Sequence, residues 1–178
     1  MAGVRRGTAT SSSTRTGTTS EEAIRNRWRR LLDAVEAVRV AVARGDSDET
    51  VPDALARTLD ALYDLGESLK KGGGYSNKAL EDLASGDGGG ETTLGLLSAR
   101  GAKTHELIDF GDLHTFGSHK YGEGPYGGGW AWQEFRNSDA WLHKRSAWYA
   151  SRVRGHRVLD PLEVALKWLA DRFQLTLD

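Results

Sequence analysis

Ile24, Trp28, Leu31, Val35, Val38 and Val42 recur at spacings of four, three, four, three and four residues. That is the period of one face of an α-helix, and no strand can present such a set to one side. Ser20 can cap this first helix, Glu21 and Glu22 suit its positive end, and Gly45 ends it. Arg25, Arg29 and Glu36 fall on the opposite face. A second stripe, Leu55, Leu59, Leu62 and Leu69, predicts a helix over residues 50–71, with Pro52 in its first turn and Gly72-Gly73-Gly74 as its stop. A short link joins the two, so they are expected to pack antiparallel.

The rest of the chain is read against that pair. Residues 1–19 are Thr, Ser, Gly and Arg with almost nothing apolar, a composition that cannot offset its ordering entropy and predicts a disordered tail. Residues 72–91 predict a glycine-rich connector with a helical turn near residues 77–84. No Gly-Lys-Ser/Thr follows those glycines and no strand precedes them, so they do not make a P-loop. A third helix is predicted over residues 91–112, with Leu94, Leu97, Gly101, Thr104 and Ile108 on one stripe. Residues 113–137 carry His114, Phe116, His119, Tyr121, Tyr126, Trp130 and Trp132 among glycines and read as a long loop. Trp130 and Trp132 would either pin that loop to the bundle or stack on bases.

A fourth helix is predicted over residues 138–154, and a fifth from Asp160. There Asp160, Pro161 and Glu163 take the N-cap, N1 and N3 positions, and Leu159 and Val164 form a hydrophobic staple. No strand run is evident. The expected fold class is therefore all-α, an up-and-down bundle of four or five helices forming one domain over residues 20–178. A Gly- and aromatic-rich insertion interrupts it at about residues 113–157.

Composition narrows the chemistry. There is no cysteine, which removes disulfides, thiolate nucleophiles and cysteine zinc sites and suits a reducing cytoplasm. No apolar run approaches the ~20 residues that span a bilayer, and no apolar stretch follows Arg5 and Arg6 as a secretory signal requires. Net charge is −1, so nothing pulls the whole molecule toward nucleic acid. The charge is uneven, however: residues 136–157 hold six Lys/Arg against one Asp. Within them Arg145, Trp148 and Arg152 interleave cations with an aromatic ring, a pattern suited to single-stranded RNA. The competing reading makes the aromatics core and the arginines a solvated face.

One further pattern carries chemistry. Arg100-Gly101-Ala102-Lys103-Thr104-His105 places four residues between an arginine and a histidine near the end of the predicted third helix. With two long amphipathic helices before it and a terminal helix after it, this arrangement resembles HEPN domains over roughly residues 20–112 and 158–175. The resemblance implies a metal-independent endoribonuclease acting as a homodimer, without cofactor, in a toxin–antitoxin or phage-defence setting. Arg100 and His105 would be the catalytic pair and Lys103 a substrate contact. A histidine can serve as base or acid near neutral pH, and an arginine offers a charged fork to phosphate. Gly101 stands where such nucleases often carry a polar residue, and Glu106 and Asp109 bring negative charge close to His105. The alternative is a non-catalytic dimeric module that binds RNA, a nucleotide or a protein such as an antitoxin. His105, Asp109, His114 and His119 could also be read as metal ligands, since the first two are four apart, but no metalloenzyme motif accompanies them.

Overall fold

A computed structural model of the chain describes residues 20–45, 50–100, 107–112, 128–134 and 143–176. Helix α1 spans Ser20–Arg44 and α2 spans Thr50–Gly73. They form the antiparallel pair that the two stripes require, packed along most of their length. Trp28, Leu31, Val35 and Val38 of α1 meet Leu55, Leu59, Leu62 and Leu65 of α2 in one core. Val38, Leu55 and Leu65 have no exposed surface at all. Each fully buried aliphatic side chain contributes about 1.5–3 kcal/mol, so this interface alone explains why both helices hold.

The glycine-rich stretch folds further than the sequence suggests. Helix α3 (Asn77–Ala84) matches the expected turn and is capped by the Ser76 hydroxyl, which accepts from Ala79 N at 3.0 Å. Helix α4 (Gly88–Ala99) then starts inside the glycines, three residues before the expected Glu91. The Asp87 carboxylate caps it, accepting from Gly89 N at 2.9 Å and Gly90 N at 3.2 Å. The glycines are required by packing. A Cβ on Gly90 would lie 2.6 Å from Ala84 Cα, and one on Gly89 would lie 2.8 Å from Trp168 Cβ.

The third helix also ends earlier than expected. Ala99 is its last residue, and Arg100 has the extended backbone of a cap, φ −61° and ψ 129°. The reading of residues 91–112 as one helix is therefore corrected, as is the reading that no strand exists. Ile108–Asp112 is strand β1, paired antiparallel with β2, Gly128–Trp132. Ile108 lies opposite Trp132 and Phe110 opposite Trp130, the β-branched and aromatic pairings that favour a ribbon. The far side of β2 is bonded too: Trp132 N donates to His156 O at 3.0 Å and Val158 N to Trp130 O at 2.9 Å.

Helix α5 spans His143–Arg152 and α6 spans Leu159–Phe173. The Asp160 cap and its staple are corrected. Helix α6 begins at Leu159, Val158 at its N-cap is itself helical, no side chain caps the end, and Val164 is exposed. The chain enters α6 already wound, with Asp160 N donating to Arg157 O at 3.1 Å, so Asp160 sits in the first turn rather than ahead of it. Leu162, Ala165 and Leu169, spaced three and four residues apart, are buried along with Pro161 and Trp168.

The molecule is thus an all-α helical bundle, six helices among the described residues, with one two-stranded ribbon. The segment read as an insertion supplies core: Trp130, Trp132, Trp148, Tyr149 and Val153 join the cluster that holds α1 and α2. Trp132, 1% exposed, donates its indole N–H to Val158 O at 3.1 Å, so of the two roles open to the tryptophans the described contacts are those of packing. Residues 1–19, read as a disordered tail, lie outside the described residues.

Candidate functional site

Arg100 caps α4 and turns its side chain across to α2. Its Nε donates to Asp60 Oδ1 at 2.9 Å, and its guanidinium lies 3.7 Å from the centroid of the Tyr63 ring. Asp60 and Tyr63 are three residues apart on a helix, so they share a face and grip one side chain from two directions. The hydrogen bond to Asp60 pushes the Arg100 pKa further above its already high ordinary value. The arginine is nonetheless 40% exposed and Asp60 is 65% exposed. The pair is therefore held in position without being buried, and a stronger anion can compete for the guanidinium.

His105 and Lys103 lie outside the described residues, so the Arg100–His105 geometry is not described. The helix read over residues 91–112 ends at Ala99, and Arg100 stands at its C-cap rather than inside it. Of the residues weighed as metal ligands, His114 and His119 are likewise outside the described residues, and Asp109 is placed by its backbone alone, opposite Ala131. Among the described residues no group of three or more His, Asp or Glu is arranged to hold a metal ion.

The basic–aromatic face of α5 is engaged inside the fold. Arg145 is 12% exposed and its Nε donates to Glu81 Oε1 of α3 at 2.9 Å. Both Nε and a terminal nitrogen of Arg152 reach Glu91 Oε2 of α4, at 3.0 and 2.8 Å. Glu91 also accepts the Gly86 N–H at 3.1 Å. That bond, with the Arg152 pair behind it, holds the Glu91 carboxyl below the usual carboxylate range. Trp148 is 8% exposed, with Lys144 Nζ 4.9 Å from its ring centroid. In this conformation Trp148 has no face to give a base, and the two arginines tie α5 to α3 and α4.

A second cationic feature escaped the sequence analysis. Arg27, Arg30, Arg57, Asp60, Ala61 and Asp64 line a cleft of about 210 Å³ between α1 and α2. Arg27 pairs with Asp64 at 3.5 Å, and Arg57 Nε donates to the Asp53 carbonyl at 3.3 Å. Asp60 belongs to this cleft and to the Arg100 pair, so the two features are continuous. The available signal was the i, i+3 spacing of Arg27 and Arg30 beside the apolar stripe of α1, matched by Arg57, Asp60 and Asp64 beside that of α2.

No family model matches the chain, nor does any curated protein or solved structure. No helix among the described residues is long and apolar enough to cross a membrane.

Proposed function

We propose that the chain is an RNA-binding helical module that presents Arg100 to phosphate. The observation that carries this reading is the state of Arg100: fixed by Asp60 and Tyr63, half exposed, and beside an arginine-lined cleft. A preset guanidinium loses little freedom when a phosphate oxygen replaces a carboxylate oxygen, and its planar fork suits two such oxygens. Lys103, three residues after Arg100 in the sequence, is a further cation for the same ligand. The module acts as a homodimer in the cytoplasm, the two-fold pairing being the commonest assembly, and an antitoxin-like protein is its partner class.

The second reading is the HEPN-type endoribonuclease, with His105 as base or acid and Arg100 as the charge that meets the phosphorane. It is favoured by the exposure of Arg100 at the start of the segment that carries His105. One experiment separates the two. Labelled single-stranded RNA and tRNA are incubated in excess EDTA with the protein, with Arg100→Ala and with His105→Ala. The module reading expects RNA to be retained by the wild type, weakly by Arg100→Ala and fully by His105→Ala, with no cleavage. Cleavage by the wild type only, leaving 2′,3′-cyclic phosphate ends, establishes the nuclease instead. RNA neither bound nor cut by the folded protein ends both readings.

A further inference from the structure

We infer that the cleft between α1 and α2 is a second anion site, built to take one phosphate group through Arg30 and Arg57. Three arginines and two aspartates line it, and Arg100 shares Asp60 at its edge. Two aspartates cannot neutralise four guanidinium groups, so the cleft and its edge carry a surplus of two positive charges at pH 7. Asp64 is taken up by Arg27 and Asp60 by Arg100. Arg57 reaches only a backbone carbonyl, and Arg30 makes no ion pair or hydrogen bond among the described residues. Two of the arginines that line the cleft therefore have no carboxylate partner among the described residues, and arginine keeps its charge at any physiological pH.

Size and lining set the ligand class. At about 210 Å³ the cleft is smaller than the roughly 300–1,000 Å³ that encloses a whole small molecule. Among the described residues its only apolar side chain is Ala61 and no aromatic ring lines it, so it has no apolar slot for a base or a cofactor ring. What fits is a compact anion that accepts several N–H bonds, and a phosphate group has the charge and the oxygens for two arginine forks at once. The phosphate could be terminal, on a nucleotide or an RNA end, or part of an RNA backbone. The site stands whether or not RNA is the physiological ligand of Arg100.

The test uses the whole chain, the double variant Arg30→Gln/Arg57→Gln, and a control of equal charge loss, Arg29→Gln/Arg44→Gln. Inorganic phosphate is titrated at constant ionic strength and binding is read by calorimetry and by the rise in thermal midpoint. The expected result is saturable binding by the wild type and the control, weakened at least about tenfold in the Arg30/Arg57 variant. Equal affinity in all three proteins, or no saturable binding by the wild type, overturns the site. A short RNA with and without a 5′-phosphate identifies the source. A preference of tenfold or more for the phosphorylated end assigns a terminal phosphate, and equal binding that depends on Arg30 and Arg57 assigns the backbone. No saturable phosphate binding by the wild type, with RNA held equally by wild type and variant and lost only in Arg100→Ala, removes the cleft and leaves the Arg100 reading intact. Phosphate bound through Arg30 and Arg57 with no RNA bound at all does the reverse.

Discussion

Two helix pairs in this bundle are held by different means. Helices α1 and α2 are kept apart by large side chains: Trp28, Leu31, Val35, Leu55 and Leu62 fill the space between their axes. Helices α4 and α5 approach until backbone meets backbone. A Cβ at Gly95 would lie 2.9 Å from Tyr149 N and 3.1 Å from its Cα. The first pair is tuned by volume and the second by the absence of volume. Buried side chains reflect this, since α4 is buried almost all round, with Thr92, Thr93, Leu94, Gly95, Leu96 and Ser98 all inside.

The contrast is broken most severely by emptying the first interface. Leu55→Ala removes a side chain with no exposed surface and should cost about 2–5 kcal/mol, read as a lowered urea midpoint at an unchanged slope. Filling the second interface comes next. Gly95→Ala should destabilise by about 1–3 kcal/mol, because the clashing atoms are backbone and cannot rotate away. Gly66 sharpens the comparison in the opposite direction. It lies within α2, where an added Cβ meets only Leu97 Cδ1 at 3.8 Å. Gly66→Ala should therefore stabilise by about 0.5–1 kcal/mol through helix propensity. If Gly66→Ala and Gly95→Ala shift the midpoint in the same direction, the distinction between the two pairs is wrong.

A smaller effect follows from Tyr149, whose hydroxyl donates to Gln133 O at 2.7 Å. Burial pushes its pKa well above the ordinary tyrosine value, against a weaker opposing pull from Arg154. A raised native pKa means that the folded state holds the proton more tightly than the unfolded chain. The linked stability is then fully present below about pH 10, the unfolded value, and is lost as pH rises beyond it. Alkaline unfolding of wild type and Tyr149→Phe should show the steeper loss in the wild type. Parallel curves would mean that Tyr149 is not the titrating group.

The same two pairs explain what could be read from the chain. The α1 and α2 stripes are one-sided, so their period survives in the sequence, and so do Leu162, Ala165 and Leu169 of α6. Helix α4 has no one-sided pattern because all its faces are covered, and its three leading glycines look like a loop until Trp168 and Ala84 are known to press on them. Strand β1 is specified by Trp130 and Trp132, which lie some twenty residues away, so the local pattern of residues 108–112 reads on from the preceding helix. The site was legible in residue type more than in arrangement. Arg100 stood out, but Asp60 and Tyr63, which hold it, are about forty residues upstream. Likewise Arg145 and Arg152 look like a nucleic-acid face until Glu81 and Glu91, each more than sixty residues back, are brought against them.

The central claim is that Arg100 is a phosphate contact held ready by Asp60. It is tested most directly by equilibrium binding of a labelled single-stranded RNA to the wild type, Arg100→Ala and Asp60→Asn at two salt concentrations. The account predicts that Arg100→Ala weakens binding about tenfold and flattens its salt dependence, whereas Asp60→Asn, whose amide oxygen can still accept from Arg100 but no longer competes as a charge, strengthens it. Equal affinity for wild type and Arg100→Ala, with both proteins folded, would contradict the claim.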